Sequence, residues 1–467
     1  MPVDLLHHYR HVTNHIIPGP QSLSYFIPLL LLPTALLIPR HILPRWLSIA
    51  FFMPTITLAS LSAWTAMRGV DVISVDVVLS SLYLLVLNDP WKDFQYIPSS
   101  SSHGDVSNSS PRRSIKGDAR RSSTRTTKSG RTTKPKTLAI SNQHYPESFA
   151  QRLSWVLNLL TSIRFNNWKI NLPSHDTHQP PSPAFPTRKA LFLQALLSLT
   201  RGYLILDLTS AYTHSDPYFT NPHIPISSPL PTTITTLFPL PPQFLRAMIL
   251  SAQAWALISQ IFYAPALLPL ALNACSLIPD SWSPHTWAPY FGSPLDVLAH
   301  GVRGFWGRYW HQMMRHSTSA PGYAVADLLG LSKGGLLRYA VITVVAFGLS
   351  GVVHMGLVPP EPLGATVSVD LLRVYVAGFF WVQPVALMVE AVVERVWMRG
   401  KKVEGPATIW RRVVIAIWVG CWFTLYVPLL GEAGRQLGYW RHWLVPFSLW
   451  KWARGEADFV TWSFLRN

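Results

Sequence analysis

Apolar residues in this chain gather into uninterrupted runs instead of alternating with polar ones. The runs fall at about 23–38, 47–66, 72–87, 190–208, 246–272, 338–358, 368–397 and 410–430. The second, LSIAFFMPTITLASLSAWTA, has roughly the 20 residues a helix needs to cross a bilayer. The first is broken by Pro28 and Pro33, which membrane helices tolerate better than soluble ones. The pattern predicts an all-α fold, a polytopic integral-membrane bundle of about eight spanning helices. No internal repeat is visible, which disfavours a transporter built from two similar halves.

Residues 98–149 differ in kind. They are rich in Ser, Thr, Arg and Lys and nearly free of large apolar side chains, so they bury too little to offset ordering entropy. The expected organisation is three N-terminal membrane helices in 1–97, a disordered basic loop over 98–149 and a membrane-embedded core over 150–467. The stretch 214–243 is proline-rich and reads as a non-helical surface or lumenal loop.

Composition agrees with a lipid solvent. Only 13% of the 467 residues are charged, against roughly 25% in soluble proteins. The formal charge of +17 invites a nucleic-acid reading until it is located. Between Arg112 and Lys136 there are ten Lys/Arg and one acid, Asp118, so this segment alone supplies +9. A basic loop kept on the cytosolic side explains that excess, and no nucleic-acid partner is expected. Two cysteines, Cys275 and Cys421, exclude a disulfide framework and lack metal-ligand spacing.

Two segments stand out chemically. In GVRGFWGRYWHQMMRH, residues 301–316, helical spacing puts Trp306, Trp310, Met313 and Met314 on one side. Arg308, His311, Gln312 and Arg315 fall on the other. This reads either as an ordinary interfacial amphipathic helix or as a platform holding an anionic cofactor against the bilayer. In LRYAVITVVAFGLSGVVHMGL, residues 337–357, His354 sits deep in an uncharged stretch, with Ser350 and Gly351 one turn back on the same face. An ionisable residue there points to function, the alternative being a hydrogen bond to a neighbouring helix.

Together the two segments resemble the fungal wax synthase-like branch of the membrane-bound O-acyltransferases. That family carries an FWGRxWHQ block followed by a membrane helix with SGxxH. Here the block is Phe305-Trp306-Gly307-Arg308-Tyr309-Trp310-His311-Gln312, and the second motif is Ser350-Gly351-Val352-Val353-His354. Trp287-Ala288-Pro289-Tyr290-Phe291-Gly292-Ser293-Pro294 resembles the family's lead into the block. A departure lies upstream: where the family has an RGxGW-type stretch, Arg164-Phe165-Asn166-Asn167-Trp168 lacks the glycines.

The resemblance implies transfer of an acyl group from acyl-CoA to a hydroxyl, with His354 as catalytic base and His311 positioning the reacting groups. A free imidazole titrates near 6.5, so a neutral form is present to accept the alcohol proton. Trp306, Arg308, Trp310, Gln312, Arg315, Ser350 and Gly351 are the expected substrate and coenzyme A contacts. Acyl-CoA, with acetyl-CoA favoured, would be a co-substrate, with no permanently bound cofactor and no metal. The partners implied are the lipid bilayer and a hydrophobic alcohol, terpenoid or meroterpenoid in preference to fatty. The endoplasmic reticulum is the implied membrane.

Other motifs carry less. Gly330-Leu331-Ser332-Lys333-Gly334 fits GxSxG, but in a chain without a βαβ pattern it has no elbow to sit on. The cluster His7, His8, His11 and His15 has helical spacing but no carboxylate or Cys to complete a metal site. Asp207, Asp370 and Glu390 lie in or near spans, with Arg201, Arg373 and Arg395 as possible partners. A transporter or receptor would account for the spans but leaves FWGRxWHQ unexplained.

Overall fold

A computed structural model describes residues 23–66, 71–96, 144–162, 165, 168–170, 185, 187–231, 240–278, 287, 289–358, 367–397 and 409–462. The expected basic loop up to residue 143 and the N-terminal histidines lie outside these residues. Residues 144–149, expected in the same loop, are described; most are exposed, and Tyr145 anchors them. The Tyr145 hydroxyl donates to the Leu36 carbonyl at 2.9 Å, and its ring meets Trp155 edge-on.

The described residues open with helices α1 (Leu23–Leu37), α2 (Arg45–Ala66) and α3 (Val72–Ser81), the last running on as a π-helical segment over Leu82–Leu87. Asp71 caps α3 by accepting from the Ser74 N–H at 2.8 Å. A short antiparallel pair follows, β1 (Phe94–Tyr96) against β2 (Trp168–Ile170), with Gln95 opposite Lys169. Between them α4 (Phe149–Thr161) begins at an N-capping Ser148. The remaining helices of more than ten residues among the described residues are α5 (Arg188–Ser215), α6 (Pro242–Ala274), α7 (Pro294–Gly304), α8 (Arg315–Leu328), α9 (Leu336–Met355), α10 (Val369–Trp381), α11 (Gln383–Trp397) and α12 (Ile409–Gln436).

By length and composition, five helical stretches among the described residues can cross a membrane: Arg188–Ser215, Pro242–Ala274, Leu336–Met355, Val369–Val396 and Ile409–Gln436. Shorter apolar helices cover Phe26–Leu37 and Val72–Leu87. The expectation of about eight spans thus finds five of full length, and the run at 368–397 is two helices meeting at Val382. Apolar side chains such as Ile261 (73% exposed) and Val396 (71%) cover the outer surface, as lipid-facing positions do.

Helix ends sort to two sides. On one side Arg45, opening α2, donates to the carbonyls of Val86 and Asn88, and Arg395 near the end of α11 donates to the Gly334 carbonyl just before α9. On the other, Gly356 abuts the backbone of Asp71 and Val72, and Leu437 after α12 packs with Val358 and Leu372.

The proline-rich stretch after α5, described over 216–231, exposes alternate residues such as Asn221, His223 and Pro225, and is anchored to the bundle. Tyr218 and Phe219 are buried, and Arg246 reaches across to accepting carbonyls of Ile226 (2.6 Å) and Ser228 (2.9 Å). Arg435 does the same for Tyr218 (2.7 Å), Asn221 (2.9 Å) and Ile224 (2.8 Å). Arg246, fully buried, is balanced by Asp216 at 2.9 Å. Prolines deny the stretch its own helical hydrogen bonds, and two guanidiniums with five donors each supply replacements.

Candidate active site

A cavity of about 640 Å³ lies between α7, α8, α9 and the loop joining α7 to α8. Its longest wall is one stripe of α9: Tyr339, Thr343, Ala346, Phe347, Ser350 and His354. Fifteen residues at 1.5 Å rise make this stripe about 22 Å long. Helical periodicity counted back from His354 picks out the same positions.

At one end stands His354, half-buried. Its Nδ1 lies 2.7 Å from the Ser350 carbonyl oxygen, which only accepts, so Nδ1 carries the proton and Nε2 the lone pair. The ring stacks on Phe380, with centroids 3.9 Å apart and planes at 27°. Both contacts come from the sequence pattern: a carbonyl four residues back on the same helix, and an aromatic on the antiparallel α10. Ser350 lines the cavity, but Gly351 does not. A Cβ there would sit 2.4 Å from Trp381 Nε1, so Gly351 serves the close approach of α9 and α10.

The other end is charged. Arg308 is more than half exposed; its Nη1 donates to His300 Nε2 at 2.8 Å and lies 3.6 Å from Asp296. Because a guanidinium only donates, His300 Nε2 must accept, and that ring is neutral. Burial first, then the nearby Arg308 and Arg303 charges, hold the His300 imidazole below its usual range. Arg303 pairs with Glu394 at 2.6 Å, and that hydrogen bond is the main reason its pKa rises further.

The FWGRYWHQ segment between these ends is not the continuous amphipathic helix that its spacing suggests. Gly301 takes a left-handed φ of +68°, Phe305–Tyr309 form a π turn, and Trp310 is extended before α8 starts at Arg315. The physical reason lies in what binds the freed backbone groups. Gln312, expected on a polar outer face, is buried and donates to the carbonyls of Trp306 and Trp310, both at 2.7 Å. Arg315 donates to the Gly307 carbonyl at 3.1 Å and to Gln312 Oε1 at 3.2 Å. Trp306 points inward: its Nε1 donates to Gln383 Oε1 at 3.0 Å, and its ring packs on Phe347 and Phe380.

Trp306, Arg308, Trp310, His311, Gln312, Arg315, Ser350 and His354 therefore all line the same cavity. His311 stacks on Tyr290 at 5.5 Å and 25°. Sequence reasoning missed His300, Arg303, Thr318, Tyr323, Phe380 and Glu394, which also line it. Of the carboxylates weighed earlier, Asp370 does pair with Arg373 (3.4 Å). Asp207 instead accepts from the Trp450 N–H (2.9 Å), and Glu390 from backbone amides. Among the described residues no three His, Cys, Asp or Glu side chains form a metal-binding group.

Such a site, a histidine lining a cavity within a bundle of apolar helices, defines a polytopic membrane protein with an internal cavity. Residues 287–359, which include both motifs and α9, match the model of the membrane bound O-acyl transferase family. The chain is 31% identical over 283 residues to acetyltransferase ple2 of Rhodocybe pseudopiperita, covering 60% of this chain and 66% of the relative. It is 29% identical over 304 residues to acetyltransferase pyr8 of Aspergillus fumigatus, covering 60% and 64%. To acetyltransferase TRI7 of Fusarium sporotrichioides it is 31% identical over 173 residues, covering 36% and 38%. The first two alignments span a little under two thirds of those relatives. No solved structure matches the chain. By these matches the chain is similar to the membrane bound O-acyl transferase family, through residues 287–359, and to fungal acetyltransferases over about 60% of its length.

Proposed function

We propose that this protein transfers an acyl group, acetyl in the first instance, from acyl-CoA to the hydroxyl of a hydrophobic alcohol such as a terpenoid or meroterpenoid. The observation that carries the reading is His354: Nδ1 is committed to a backbone carbonyl, which leaves Nε2 as a base on the cavity wall. Nε2 takes the hydroxyl proton as the alcohol oxygen attacks the thioester carbonyl. The C–S bond then breaks, and the imidazolium returns the proton to the departing thiolate, giving ester and free coenzyme A. A positioned base of this kind contributes roughly 10²–10⁴-fold. The apolar walls from Phe347 and Phe380 keep water, the competing nucleophile, away.

The charged end suits the anionic part of the donor. Arg303, Arg308, Arg315 and His300 converge there, although Asp296 and Glu394 offset part of their charge. Arg308, more than half exposed, is the candidate phosphate contact. This end shares its side of the bundle with Lys333, Arg395 and Arg411, and with Tyr96, after which the basic segment continues. Positive-inside bias makes that side cytosolic, so the donor arrives from the cytosol and the acceptor from the bilayer. The endoplasmic reticulum is the membrane we assign.

The test supplies membranes containing the protein, or its His354→Ala variant, with labelled acetyl-CoA or a long-chain acyl-CoA and pooled terpenoid and fatty alcohols. Labelled ester from the wild type and acetyl-CoA alone supports the reading. Ester from the long-chain donor and fatty alcohols would make the protein a wax ester synthase instead. Failure of the protein to bind either donor would overturn acyl transfer altogether.

A further inference from the structure

Three polar side chains on α11 face the broken segment before the π turn: Gln383, Glu390 and Glu394, at i, i+7 and i+11 and so on one face of the helix. Each engages a different part of that segment. Gln383 Oε1 accepts from Trp306 Nε1 and from Trp422 Nε1, both at 3.0 Å, while its amide donates to the Phe379 carbonyl at 2.7 Å. Glu390 Oε1 accepts from the Val302 N–H and from Trp418 Nε1, both at 2.7 Å, and Oε2 accepts from the Arg303 N–H at 2.8 Å. Glu394 holds the Arg303 guanidinium at 2.6 Å.

We propose that Glu390 is a positioning residue that sets where Arg303, Trp306 and Arg308 stand on the cavity wall, and through them the affinity for the anionic acyl donor. Glu390 does not line the cavity, whereas Arg303, Gly304, Trp306, Gly307 and Arg308 all do. Its carboxylate fills the notch left by the turn at Gly301. A Cβ on residue 301 would lie 2.2 Å from Oε1, so the left-handed glycine and the carboxylate require one another. A carboxylate within a spanning helix is costly unless fully engaged. Here three N–H donors engage it, and two of them are the backbone amides freed by the break. The charge is thus spent on fixing the angle at which the segment leaves α7 and enters the π turn.

The kinetic part of this proposal rests on the acyl-transfer reading; the structural part does not, and the experiment separates them. The probe is a Gly307→Cys reporter in a chain whose Cys275 and Cys421 are replaced by Ser. A Cβ at 307 meets nothing within 4 Å, so the reporter is sterically accommodated. Maleimide labelling of this cysteine is compared with Glu390 intact and in Glu390→Gln, whose amide group opposes an N–H donor. A change of about tenfold in labelling rate is expected, with an acyl-CoA KM raised by a similar factor and kcat at saturating donor within about twofold. Trp418→Phe, which removes one donor and leaves the carboxylate in place, serves if Glu390→Gln does not fold, and should shift labelling in the same direction by less. Unchanged labelling in a folded Glu390→Gln protein overturns the proposal, as does a fall in kcat with KM unmoved. Absence of ester from the wild type would sink the acyl-transfer reading alone, and the labelling arm would still decide the positioning role.

Discussion

At the scale of single residues, the cavity separates chemistry from support. His354→Ala should still insert and fold, because one imidazole stacked on Phe380 contributes little packing, yet turnover should fall by about 10² or more. Thermal melting beside ester formation checks both halves. Gly351→Leu should do the reverse, driving a side chain into Trp381 and prying α9 from α10, so that stability falls before any effect on the base is read. His300 gives a pH signature. Its folded pKa lies below the unfolded value near 6.5, so the unfolded chain takes up the proton first as pH falls. Its contribution is therefore intact above about 6.5 and is lost below it. His300→Asn should flatten the acid limb of a melting-temperature profile between about pH 7 and 5. Phe165 closes this scale. It holds φ +50°, a conformation that favours glycine, while its ring packs on Tyr83 and His316. Phe165→Gly would relax the backbone and lose those ring contacts together.

At the scale of elements, the sequence was a good guide to helices and a poor one to breaks. The run expected at 338–358 is a helix over Leu336–Met355, and that at 246–272 is Pro242–Ala274. Long apolar runs are unambiguous because lipid permits few alternatives. The segment 301–316 shows the limit. Its spacing of tryptophans and cations is what an amphipathic helix would carry, and nothing local announces that Gly301 turns left-handed or that Gln312 folds back over a π turn. Those features depend on Glu390 and Gln383, some eighty residues away in sequence. His354 was legible because a lone imidazole in an apolar run is conspicuous; Phe380 was not, since one phenylalanine among many carries no mark. Helix α5 adds a further prediction. Tyr203, Asp207 and Ser210 take the Phe447 carbonyl (2.5 Å), the Trp450 N–H (2.9 Å) and the Leu444 N–H (3.2 Å), tying the C-terminal segment to one face. Asp207→Ala should loosen that segment, read as faster proteolysis after residue 440 with donor binding unchanged.

At the scale of the whole molecule, the buried ion pair between Arg246 and Asp216 sits where α5, α6 and α12 converge. Removing one partner leaves the other charge without a counterion, a loss of about 3–5 kcal/mol in buried pairs. Asp216→Ala should accordingly deplete folded protein in membranes, and an Asp216→Ala/Arg246→Met double variant should recover part of it. The same convergence dictates an order of assembly during synthesis. Asp216 directly follows α5 and Arg246 is in the first turns of α6, so the two can neutralise each other as soon as α6 emerges. Arg435, which serves the carbonyls of Tyr218, Asn221 and Ile224, lies on the last in sequence of the five candidate spans among the described residues. Until α12 arrives, those carbonyls lack the donor that serves them in the finished fold. A nascent chain halted before that helix should therefore be recognised as unfinished by the cell's quality control, although every residue lining its cavity has already been made.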